Sequence, residues 1–170
     1  MDTRLWPRLS WNSWLTMNSV ARIPRQPFHR VVFCAAAIYN IAWGLYSVYD
    51  PQWLFRFAGL PPLNHPQTFA CLGMVVGLYG IIYFEVARVP ERSFLLAAIG
   101  LLGKILGPIG LGRLIWNGVW PASTIVLCLT NDLIWWIPFS IYLYDSWPIF
   151  IANFRRSEKD TVGSSESFYS

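Results

Sequence analysis

Apolar residues in this chain gather into four long runs divided by short, proline-rich polar joints. The runs cover about residues 31–49, 68–87, 94–116 and 123–144. Each is close to the ~20 residues that a helix needs to cross ~30 Å of hydrocarbon. In lipid the backbone must satisfy its hydrogen bonds internally, so the pattern predicts helices rather than isolated strands. The joints carry matching punctuation: Asp50-Pro51, Pro61-Pro62 with Pro66, Val89-Pro90, and Asn117-Gly118 with Pro121. Proline and the residue before it resist helical continuation for steric reasons. The predicted fold class is all-α, a four-transmembrane-helix bundle. It divides the chain into an N-terminal segment (1–27), a membrane domain (28–147) and a tail (148–170) whose polar end predicts disorder.

Composition strengthens this reading. The chain is 55% hydrophobic and only 13% charged, with mean hydropathy +0.39. Water-facing domains carry about 25% charged residues. Ten Trp, eight Tyr and eleven Phe suit membrane interfaces. The distribution of cations gives an orientation. Arg4, Arg8, Arg22, Arg25, Arg30, Arg88, Arg92, Arg155, Arg156 and Lys159 fall on one side, with only Arg56 and Arg113 on the other. The positive-inside rule then puts both termini in the cytoplasm, and the expected location is a bacterial inner membrane. The stretch LWPRLSWNSWLTM lacks the continuous apolar core of a cleaved signal peptide. Trp6, Trp11 and Trp14 beside Arg4 and Arg8 suit an anionic leaflet, although a mobile tail reads equally well. The loop PQWLFRFAGL predicts a short interfacial helix with Trp53, Phe55 and Phe57 as anchors.

Helices in lipid gain little from hydrophobicity, so close contact between small residues matters more. Gly73, Gly77 and Gly80 mark the second run. Gly100, Gly103, Gly107 and Gly110 share one face of the third. A five-residue joint, VPERS, makes these helices antiparallel neighbours, and the two glycine faces are expected to meet. A glycine-lined path for a ligand is the alternative.

The third run, LLGKILGPIG at its centre, holds Lys104. It lies ~15 Å from the run's cytoplasmic end, near the midplane. A lone lysine there costs at least ~2.5–3.5 kcal/mol. Asp132 in the fourth run, flanked by Thr130 and Asn131, falls at the same depth, as does Asn40 in the first. These residues predict an intramembrane polar network centred on a Lys104–Asp132 pair. Pro108 and Pro138 kink their helices and free the carbonyls of Lys104 and Ile134. Tyr39, Trp43, Trp135 and Trp136 converge at that level and predict an aromatic-lined cavity. The pair serves either to fix helix register or to handle a ligand or proton. Elsewhere, Glu85 and Arg88 predict an interfacial ion pair, and Asp50 a cap on the turn into Pro51.

No catalytic signature accompanies this network. Cys34, Cys71 and Cys128 form no CxxC, and His29 and His65 give no metal spacing. Paired carboxylates, a Ser–His set and a phosphate loop are missing too, so an enzyme is the weakest reading. No cofactor is evident, with quinone or lipid as candidates. The expected partners are the bilayer and a membrane protein or a second copy of the chain, with no nucleic acid. Four short helices, polar residues at mid-depth, and the segments GLLGKILGPIG and NDLIWWIP resemble small bacterial membrane proteins of the DoxX-like group over about residues 28–147. The resemblance implies a four-helix bundle, and some members are associated with quinone-linked redox complexes. It implies no functional residue here. Besides the enzyme, the competing roles are a binding or accessory protein, a small proton-linked transporter using Asp132, and a membrane subunit of a quinone-linked redox system. Small multidrug transporters also have four helices, but they carry a glutamate in the first, where this chain has Asn40.

Overall fold

The computed structural model describes residues 22–168. They fold into helices, with no strand among the described residues. Helix α1 spans Gln26–Tyr49, the short α2 spans Trp53–Phe57, α3 spans Pro66–Arg88 and α4 spans Phe94–Trp116. The last segment is composite. A 3-10 turn (Ala122–Thr124) leads into α5 (Ile125–Cys128), then a π-helical turn (Leu129–Leu133), then α6 (Ile134–Phe168). Four helices, Gln26–Tyr49, Pro66–Arg88, Phe94–Trp116 and Ala122–Arg156, are long and apolar enough to cross a membrane. The Trp6, Trp11 and Trp14 segment lies outside the described residues.

Helix starts follow local chemistry. Pro27 and Pro66 sit in the first turns of α1 and α3, where a missing N–H costs nothing. The first and last of these long helices outrun their apolar segments. Helix α1 begins at Gln26, and α6 continues through Pro148 and on to Phe168, into the tail for which composition predicted disorder. Asp50 does cap the turn after α1, its Oδ1 accepting from the Gln52 N–H at 3.3 Å, and Arg56 pairs with the same carboxylate. The short helix α2 turns Trp53 inward, its indole N–H donating to Ser47 Oγ at 3.0 Å, while Phe57 faces outward.

The glycine pattern packs differently from expectation. The glycines of α3 meet α1, not α4. A methyl group built at Gly73 would lie 2.7 Å from Ser47 Cβ, and one at Gly80 2.7 Å from the Ala37 carbonyl oxygen. One at Gly44 would lie 2.6 Å from the Gly73 carbonyl oxygen and 2.8 Å from Gly77 Cα. Helices α1 and α3 therefore touch backbone to backbone, which only glycine permits. On α4, Gly103 and Gly110 have no neighbour within 4 Å of such a methyl, and Gly100 meets the Tyr83 ring. The physical reason is that Gly44 gives α1 a small-residue face of its own, so α3 is already partnered.

A buried aromatic core occupies the end of the bundle where α1 begins. Phe33 lies 4.4 Å, ring to ring, from Phe139 and 4.9 Å from Tyr142, with Tyr83 and Val86 beside them, all fully buried. Towards mid-depth this aromatic core gives way to polar groups and empty space.

Candidate intramembrane polar site

Lys104 is supplied by α4, Asn40 by α1, and Asn131 and Asp132 by the π-turn. Lys104, Asn40 and Asp132 are buried, at 5%, 2% and 7% exposure. The Lys104 ammonium lies 3.5 Å from Asp132 Oδ1. It also donates to Asn40 Oδ1 at 3.2 Å and to the Asn131 carbonyl at 2.5 Å. Three acceptors thus surround a group with three N–H donors. Asn131 Nδ2 donates to the same carboxylate oxygen, Asp132 Oδ1, at 2.9 Å.

The π-turn explains how one segment supplies both an acid and a carbonyl. The Ile134 N–H reaches back five residues to the Leu129 carbonyl instead of four. Such a bulge widens the turn and redirects neighbouring groups, and it is common at functional sites. Here it lets the Asn131 carbonyl face Lys104 while Asp132 stays on the same side.

Pro108 lies within α4, and the helix continues through it. Its missing N–H would leave the Lys104 carbonyl bare inside the bundle, where a backbone acceptor needs a donor. The Trp136 indole N–H fills that gap, donating to the Lys104 carbonyl at 3.0 Å. Lys104 is therefore tied to the fourth segment at both its side chain and its backbone. Pro138 likewise lies within an unbroken α6.

Two cavities meet at this network. One of about 240 Å³ extends towards the core end, with Tyr79, Tyr83, Gly100 and Gly103 in its wall beside Lys104 and Asn40. The other, of about 400 Å³, extends towards the α2 end, walled by Trp43, Leu54, Trp120, Leu127 and Cys128. Gly107, Asn131 and Asp132 line both. A methyl built at Gly107 would lie 3.3 Å from Asp132 Oδ2, so the glycine leaves the carboxylate open at the junction.

Of the four aromatic residues expected to line a cavity, Trp43 does so, above a floor of Asn131 and Asp132 from the polar network. Trp135 instead packs against Tyr39 at 6.1 Å and Phe139 at 6.2 Å, and Trp136 serves the backbone. Gly103 and Gly107 border empty space, whereas Gly73 and Gly77 hold α1 against α3.

A second constellation was missed at sequence level. Asp145 on α6 receives Arg25 Nε at 2.9 Å and Nη2 at 2.6 Å, and His29 Nε2 at 2.8 Å. His29 is fully buried, edge-on to Tyr142, whose hydroxyl donates to the Pro90 carbonyl at 2.7 Å. Equal depth from the ends of the first and fourth runs was the available signal. Glu85 and Arg88 pair as expected, at 2.7 Å.

Searches against family models, curated proteins and solved structures found no match to this chain.

Proposed function

We propose that the protein is a multi-pass membrane protein with both termini in the cytoplasm, acting as a DoxX-like binding or accessory protein in a bacterial inner membrane. Its working site is the Lys104–Asp132 network. One observation carries this reading: the buried pair opens into two cavities at membrane depth instead of being sealed among apolar side chains. A pair that only fixed helix register would be cheapest where surrounding groups exclude all space. The ten-to-two distribution of Lys and Arg supports the orientation. The test is mass spectrometry of the protein purified with its native lipids and partners. A small molecule retained by the wild type and lost in Asp132→Asn, with the fold intact, is the expected result. Empty protein in both cases would leave the pair a structural staple.

The proton-linked transporter is the second reading, favoured by the position of Asp132 in the walls of both cavities. A carboxylate reachable from two sides suits alternating access. That reading requires pH-dependent substrate flux in vesicles that disappears in Asp132→Asn.

A further inference from the structure

The free valences of the network define what it can hold. Lys104 is the obvious anchor for a ligand acceptor such as a carbonyl or an anion. Yet its three N–H donors already face Asn40 Oδ1, the Asn131 carbonyl and Asp132 Oδ1. Binding an acceptor there would mean breaking one of these contacts. What remains open is on the acceptor side. Asn131 Oδ1 is buried with no hydrogen-bond partner. Asp132 Oδ2 receives no hydrogen bond among the described residues, since Asn131 Nδ2 and Lys104 both address Oδ1. Leaving such acceptors dry and unmatched is unfavourable, because each has given up its water without gaining a donor. The buried indole N–H of Trp135 is also unpartnered, but Trp135 lines neither cavity.

Size separates the two cavities. Small-molecule sites measure about 300–1,000 Å³. The core-side cavity falls below that range at about 240 Å³, and the α2-side chamber falls within it at about 400 Å³. The larger chamber has apolar walls of Trp43, Leu54, Trp120 and Leu127 over a floor of Asn131 and Asp132. Charge decides the head group. Lys104 already balances Asp132, so a second full positive charge would stand uncompensated away from water.

We propose that the α2-side chamber binds a compact apolar molecule through a neutral hydroxyl head, which donates its one proton to Asp132 Oδ2. This assignment rests on the binding reading above and narrows it to donors, against carbonyl ligands such as oxidised quinones.

Cys128 in the chamber wall gives a local readout. The full chain carrying Cys34→Ser and Cys71→Ser is placed in lipid nanodiscs and exposed to methyl methanethiosulfonate. Modification of Cys128 is timed with 1-adamantanol, 2-adamantanone or 1-aminoadamantane at matched membrane concentrations. Native mass spectrometry of the same samples counts bound probe. The alcohol should protect Cys128 with about tenfold higher affinity than the ketone, the worth of one hydrogen bond to a charged group. Asp132→Asn, which turns an amide N–H towards the chamber, should narrow that preference. Equal or better protection by the ketone overturns the donor assignment while leaving the binding reading intact. Protection by the amine alone overturns the neutral head. No bound probe of any kind counts against the chamber as a site and against the binding reading with it.

Discussion

Trp136 is the residue whose role depends most on tertiary structure. Its indole supplies the hydrogen bond that Pro108 withholds from the Lys104 carbonyl. Trp136→Phe keeps the ring but removes the donor, and should lower stability by about 1–3 kcal/mol, the cost of a bare buried acceptor. Thermal unfolding in detergent reads this, and a Pro108→Ala background should abolish the effect by restoring the helical N–H. Sequence position alone revealed that this carbonyl needed a donor and that tryptophans lay nearby. It did not reveal which one turned towards it, because side-chain direction depends on the π-turn that precedes Trp136. Outside the spans, Arg56 holds the Asp50 carboxyl below its usual range, chiefly through their hydrogen bonds. A depressed folded-state pKa gives stability that is present above the ordinary carboxylate value and lost as pH falls through the folded one. Arg56→Met should therefore lower the melting temperature at neutral pH, and the difference from wild type should close in acid. A difference that persists below the carboxylate range would mean the guanidinium acts by packing.

At the scale of elements, the glycines carry the sharpest forecast. Gly73→Ala and Gly80→Ala push a methyl against α1, to 2.7 Å from Ser47 Cβ and the Ala37 carbonyl oxygen respectively. Each should force the two helices apart and destabilise the bundle by about 1–3 kcal/mol. Gly103→Ala meets nothing within 4 Å and should leave the melting temperature unchanged. The reverse order would restore a glycine-on-glycine contact between α3 and α4. Spacing along the chain showed that α3 and α4 each possess a small-residue face. It was silent on partners, because a short joint dictates adjacency but not rotation about the helix axis. Gly44, a single glycine in the first run, decided the pairing. The π-turn was illegible for a related reason, since no residue type demands it. Its value lies in the Asn131 carbonyl it delivers to another helix.

For the whole molecule, four helices and their joints were legible because proline chemistry and apolar length are local properties. Orientation is the global property that hydropathy cannot supply, and the proposed one rests on the cation bias. Reporter fusions in the loop around Asn64 should report the outer side, and fusions after Arg156 the cytoplasm; a cytoplasmic readout at Asn64 would invert the account. The depth match of Lys104, Asn40 and Asp132 was also legible, as counting residues along a helix measures depth. The openness of the space around them was not, because it depends on how three helices splay about the junction at Gly107. The central claim is that Lys104 and Asp132 act as one buried unit, and a double-mutant cycle tests it most directly. Stabilities of wild type, Lys104→Met, Asp132→Asn and the double variant are measured in the same lipid nanodiscs. Each single variant strands a charge and should cost about 3–5 kcal/mol. The double variant should cost less than either. Costs that simply add would show that the two residues are not paired, and would contradict the account.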